Sequence, residues 1–254
     1  MKYEIRTTDL EEYVMCPYMH MHKKDIELTP EQQHNREKAL STGKKLHKNL
    51  QTYLTGKYNP EKDDRDRNDW AVELIEPELD ETESKYIASC RSLADKHNLP
   101  NLLVTENEYT ATFDVWEDQV EITGHIDWIV DSDYIVDIKS AKNKRQENSL
   151  AYKLQWRMYP VLYALARYDK SVLDDINIKF DYWIFTKQVT PQFQWFRLNV
   201  NIWQHYGEIS KIVKDYVLAK KSNSFRTNPG SSACFRCPLK KTHKCPAYAW
   251  PVKE

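Results

Sequence analysis

The sequence predicts a mixed α/β fold, a sheet built around an antiparallel meander and flanked by helices. Helical spacing of apolar residues dominates the first 97 residues and returns at 149–168 and 201–221. Between these stretches, Leu102 to Lys139 alternates in twos and favours Val, Ile, Thr, Tyr and Trp, and two shorter runs at 176–187 and 192–200 do the same. With 41% hydrophobic residues in 254, the chain can bury a sizeable core without disulfides. It reads as one composite domain with a helical region over 1–100, a core over 101–200, and a helix with a cysteine-rich segment over 201–254.

Taken in order, Thr8 followed by Glu11 gives a capping-box pattern, which predicts a helix over about 9–23 carrying Cys16 and broken at Pro17. Thr29-Pro30 opens a second helix, which closes near Gly56 with Leu46, Leu50, Tyr53 and Leu54 on one side and His47 within it. The acidic stretch 57–69 reads as a loop and 70–97 as a helix with Cys90 among its apolar positions. Breaks at Glu117-Asp118 and at "DSD" divide 102–139 into three strands. The helix at 149–168 contains Pro160, where a kink is expected, and the last 33 residues have loop composition.

A net charge of −1 excludes indiscriminate attraction to polyanions over the whole surface but leaves room for local patches. Basic residues do cluster, in "GKKLHK" at 43–48, "KSAKNKR" at 139–145 and "KKTHK" at 240–244. No apolar run approaches the roughly 18 residues of a membrane span, and the first residues lack a secretory apolar stretch. A cytoplasmic location without membrane attachment is therefore expected, where five cysteines point to thiols or metal ligands before disulfides.

The segment "GHIDWIVDSDYIVDIKS" at 124–140 places acids in mid-strand, where Asp is disfavoured. A turn centred on Ser132 sets Asp127 opposite Asp137, with carboxylate-bearing Cβ atoms about 4.5 to 5.5 Å apart. Such a pair repels unless a cation lies between them, and hard carboxylate oxygens suit Mg²⁺ or Mn²⁺. Lys139 shares the face of Asp137, while Val136 and Ile138 turn into the core. The spacing also fits an ordinary hairpin with exposed acids and a cross-strand ion pair.

Asp127 followed by Asp137-Ile138-Lys139 resembles the bipartite signature of the PD-(D/E)XK nuclease superfamily. Gly43 and His47, four apart, resemble the Gly-xxx-His element of its RecB-type branch, and Gln155 and Tyr159 its Gln-xxx-Tyr element. Cys16 near one end, with Cys234, Cys237 and Cys245 near the other, resembles the iron–sulfur arrangement of the AddB and CRISPR-adaptation nucleases of that type. The elements keep the family order from about residue 16 to residue 245.

The resemblance implies a restriction-endonuclease-like core and a metal-dependent DNA nuclease, expected to be an exonuclease. Its context would be recombination, repair, phage DNA processing or CRISPR adaptation. It implies His47, Asp127, Asp137 and the Ile138 carbonyl as ligands of Mg²⁺ or Mn²⁺, Lys139 as the residue managing the attacking water, and Gln155 and Tyr159 as supports of the site. The four cysteines would hold a [4Fe–4S] cluster joining the chain ends. Zinc bound by Cys234, Cys237, His243 and Cys245 is the other occupant their spacing allows, and Cys90 is left to core packing. Glu106 or Glu108 could supply a further acid or be plain exposed strand residues, with Glu108 expected opposite Asp127. DNA, single-stranded or at ends, is the implied partner, alongside a helicase, annealing protein or integrase-type protein. The competing function is an inactive DNA-binding or scaffold subunit of a recombination or nuclease-helicase complex.

Overall fold

The computed structural model describes residues 2–25, 29–56, 79–100, 104–147, 150, 153–228, 234, 237, 239 and 244–248. The expected loop at 57–69, the start of the 70–97 helix, and His243 lie outside these residues. The fold is mixed α/β, with a six-stranded mixed sheet carrying helices on both faces.

The chain begins with a strand absent from the sequence reading, β1 (Lys2–Arg6), which pairs parallel with β3 (Asp118–Asp131). Helix α1 (Thr7–Met15) follows at once, so its N-cap is Arg6 without a side-chain cap, and the expected Thr8 capping box is not formed. The helix already starts at Thr7, so Thr8 is its second residue and cannot stand at the N-cap. Pro17 breaks the helix as expected: Cys16 is extended, and α2 (Pro17–Met21) starts on the proline.

Helix α3 (Pro30–Gly56) opens on a reciprocal cap, with Thr29 Oγ1 accepting from the Gln32 amide and Gln32 Oε1 from the Thr29 amide. Helix α4 (Glu81–Lys96) has the same device in Asp80 and Glu83, so a cap within the predicted helix marks where α4 begins.

Strands β2 (Val104–Val115), β3 and β4 (Tyr134–Ala141) form the expected antiparallel meander. The β2–β3 turn falls on Trp116-Glu117, one residue earlier than the sequence suggested, with Trp116 at φ 54°. Helix α5 (Gln155–Arg167) then crosses from β4 to β5 (Asn177–Thr186), which lies parallel to β4. Strand β6 (Phe193–Asn201) returns antiparallel to β5, and α6 (Ile202–Ser222) starts under an Asn201 side-chain cap.

Alternation along β4 and β5 divides the core. Ile135, Tyr182 and Ile184 join the cluster with α1, α5 and α6, whereas Val136, Ile138, Trp183 and Phe185 join α3 and α4. Strand β3 serves two partners along one edge: β1 pairs with it as far as Thr123, and β4 from Trp128 onward. The sheet thus forks at Gly124 to Asp127.

Gly124 is required at that fork. A Cβ there would lie 2.8 Å from Thr7 Cγ2, 2.9 Å from Leu162 Cδ1 and 3.2 Å from Tyr159 Cε1. Thr7 and Leu162 are buried and have little room to yield. Gly124→Ala should therefore destabilise the protein by about 1 to 3 kcal/mol, the usual cost of overpacking, read as a lowered urea midpoint with an unchanged m-value.

Candidate active site

The fork leaves Ile138 on β4 without a backbone partner on β3, and both of its main-chain groups are taken by side chains instead. The Ile138 amide donates to Asp127 Oδ2 at 3.0 Å. Its carbonyl accepts from His47 Nε2 at 2.9 Å. Buried backbone groups must find partners, so this edge draws Asp127 from β3 and His47 from α3 to one residue. The expected register holds at Trp128 with Val136 and at Ile129 with Ile135. Asp127 and Asp137 do not continue it as a bonded pair, because the Asp127 carboxylate occupies the place of a ladder bond.

Helix α3 delivers His47 by its apolar side. Leu46, Leu50 and Leu54 are fully buried against Val136, Ile138 and Trp183, which fixes the helix rotation and turns His47 toward the strand edge. With Nε2 donating to a carbonyl, His47 directs Nδ1 at Asp127 Oδ2, 3.7 Å away.

Asp137 and Lys139 share one face of β4 and form an ion pair, Nζ to Oδ1 2.9 Å and to Oδ2 2.8 Å. Asp137 is 1% exposed. Burial pushes its carboxyl up to about 7; the Lys139 ammonium acts in the opposite sense, and Asp127 adds to the rise. At Lys139, burial works against the charge, but the carboxylates of Asp137 and Asp127 outweigh it and hold the ammonium above the ordinary lysine range.

From α5, Gln155 Nε2 donates to the Tyr159 hydroxyl at 3.1 Å. Burial, then the Asp137 charge, raises the Tyr159 phenol to about 12 and keeps it neutral. His47 and Lys139 line a cleft of about 590 Å³ between the α3 residues Ala39 to Lys48 and the end of β4 at Ile138 to Ser140. Ser140 and Lys48 are cleft residues that the sequence reading did not single out individually; only the basic run signalled Lys48.

Other candidates are placed differently. Glu108 pairs with His125, not Asp127, and its carboxylate meets His125 Nε2 at 3.1 Å on the surface. The earlier turn shifts the register, so Glu106, between the Thr105–Trp128 and Asn107–Ile126 pairs, is the position opposite Asp127.

Cys16, Cys234, Cys237 and Cys245 are all buried thiols, and Cys90 packs in the α3/α4 core. Described residues of the C-terminal segment lie on the α1–α2 corner: Cys237, Leu239 and Cys245 pack with Tyr18 and Met19, the Tyr18 hydroxyl donates to the Lys244 carbonyl, and Asn228 Nδ2 to the Met15 carbonyl. Cys234 Sγ donates to the Asn228 carbonyl at 3.3 Å.

Among the described residues, the one set of three His, Cys, Asp or Glu side chains with ligand atoms mutually within 4.8 Å is Asp9, Glu12 and His20. The Lys23 ammonium already bridges Asp9 and Glu12, at 2.8 Å to each. The His47, Asp127 and Asp137 set is wider than that limit, and so is every trio of the four cysteines. No described helix is long and apolar enough to cross a membrane.

Comparison with known proteins agrees with the mixed α/β fold. A family model described as the PD-(D/E)XK nuclease superfamily matches residues 7–242. A solved structure from Eubacterium rectale, described as a candidate exonuclease, is similar at 14% identity and TM-score 0.51, over 92% of this chain and 87% of that one. The structure of SSO0001 is similar at 16% identity and TM-score 0.49, over 98% and 88%. No curated protein matches the sequence.

The raised Asp137 carboxyl makes a pH prediction. Its folded value exceeds the unfolded one, so the folded protein binds this proton more readily, and the group's contribution to stability falls as pH rises from about 4 toward its folded value. In EDTA, Asp137→Asn should lack that part of the decline, giving a flatter thermal midpoint against pH than wild type over the interval.

Proposed function

The chain belongs to the PD-(D/E)XK nuclease superfamily, and from that premise we propose that it is a Mg²⁺- or Mn²⁺-dependent DNA exonuclease of the RecB type. The observation that carries the reading is the convergence on Ile138: His47, Asp127, Asp137 and Lys139, from three separate elements, surround one strand edge beside an open cleft.

The donor set is oxygen-rich, with two carboxylates, a backbone carbonyl and one imidazole, which suits a hard divalent cation. Asp127, Asp137 and His47, with the Ile138 carbonyl, would hold it. Such a metal supplies Lewis acidity toward the scissile phosphate and lowers the pKa of its water. The His47 Nε2 bond to the carbonyl fixes the ring and leaves Nδ1 directed to the Asp127 side, the usual orienting contact of a ligand histidine.

Held beside Asp137 at the cleft, the Lys139 ammonium would orient the water and offset charge developing on the phosphate. Gln155 occupies the Tyr159 oxygen as an acceptor, which leaves the phenol proton for a phosphate oxygen. The basic stretches at 43–48 and 141–145 would add salt-sensitive attraction to a DNA strand or end.

We further propose a [4Fe–4S] cluster on Cys16, Cys234, Cys237 and Cys245. Support comes from the burial of all four thiols and from the packing of the C-terminal segment on the corner that carries Cys16. A helicase, annealing or integrase-type partner remains part of this proposal through the family resemblance alone.

Two experiments test these readings. Lys139→Ala should abolish Mg²⁺-dependent digestion of end-labelled linear DNA while retaining the wild-type far-UV spectrum; undiminished cleavage refutes the assignment. Anaerobically purified protein should be brown and carry iron and sulfide in equal amounts, and Cys245→Ser should lose both. Colourless protein with stoichiometric zinc sinks the cluster.

A further inference from the structure

Helix α3 changes character at Gly43. Beyond it, Leu46, Leu50 and Leu54 are buried in the core, whereas residues 30–41 are exposed. Glycine is the poorest helix-interior residue after proline, so its presence here needs a cause.

Packing does not supply one. Among the described residues, a Cβ on Gly43 would meet a single atom within 4 Å, Ser140 Oγ at 3.7 Å, an ordinary contact. The residue is helical, with no left-handed backbone to demand glycine. Gly124 is the contrast, since a Cβ there would meet three atoms at 3.2 Å or less. What Gly43 does adjoin is the cleft, whose wall includes Lys44, Lys48, Lys139 and Ser140.

Two of the three flanking lysines are also uncommitted. Lys45 is tied to Glu83 at 2.6 Å, but Lys44 and Lys48 have no acidic partner among the described residues. Four residues apart, they project on one side of the helix, and both line the cleft.

We propose that Gly43 is a clearance position for substrate. The sugar–phosphate backbone of a nucleic-acid strand lies against the bare helix at Gly43, with phosphates near the scissile one received by the Lys44 and Lys48 ammonium groups and the Ser140 hydroxyl. This rests on the nuclease reading, and it assigns Gly43 a role in strand binding, not in holding metal or fold.

The test uses Gly43→Ala in the full chain, with two readouts that need no cleavage. Thermal unfolding should shift up by about 2 to 4 °C, because alanine favours the helix. Binding of a fluorescent single-stranded oligonucleotide in EDTA should weaken about tenfold, a change of about 1.4 kcal/mol. In Mg²⁺, KM should rise by a similar factor while kcat changes less than about twofold, the pattern of lost uniform binding. Lys48→Ala should reduce the slope of log affinity against log salt by about one.

A lowered midpoint for Gly43→Ala would mean that the glycine serves the fold, and a raised midpoint with unchanged affinity would mean that no strand passes it. Either result overturns the inference. Wild-type protein that binds the oligonucleotide but never cleaves it would instead defeat the nuclease reading, with the clearance role still decided by the affinity of the variant.

Discussion

Everything at the site follows from a shortage of backbone partners at one strand edge. Strand β3 is long enough to pair with both β1 and β4 on the same side, but a gap must remain where one ends and the other begins. An unpaired main-chain donor and acceptor in that gap would cost about 1 to 3 kcal/mol each if left unsatisfied. The Asp127 carboxylate and the His47 imidazole meet that cost at Ile138. The contacts that stabilise the fork are therefore also the contacts that gather the polar groups.

The two core clusters make this arrangement possible. Asp137 and Lys139 lie on the α5 side of β4, while α3 packs on the other side through Val136 and Ile138. His47 comes from the far layer and reaches the near one only because the sheet is open at the fork. A continuous ladder between β3 and β4 would have kept the layers apart. Gly124 belongs to the same constraint: without a side chain it lets the start of α1 and Tyr159 of α5 close over the gap.

How much of this could be read from sequence depended on the range of the interaction. The meander, the α3 span and the shared face of Asp137 and Lys139 were legible because alternation and i, i+2 spacing are local. Strand β1 was not, since five residues with buried Ile5 give too short a pattern and its partner lies more than a hundred residues away. The β2–β3 turn was misplaced because Trp116, not a glycine or asparagine, takes the left-handed position. That slip moved Glu108 away from Asp127. The bond from His47 to Ile138 spans 91 residues, and only the assembled sheet, not the helix periodicity, reveals it.

A second buried acid on the same sheet clarifies what sets Asp137 apart. Asp181 on β5 is fully buried and accepts from Tyr134, from Trp195 Nε1 at 2.6 Å, and from Arg197 through Nε and Nη2 at 3.0 Å each. Arg197 stacks on Tyr134 and Trp195, so the whole cluster is satisfied and closed. Asp137 is almost as deeply buried, yet among the described residues its close partner is the Lys139 ammonium, with the Asp127 charge nearby to repel it. Saturated by a rigid guanidinium fork, an aspartate is structural. Held by one lysine beside a second carboxylate, it retains an electrostatic need that a cation entering from the cleft would relieve.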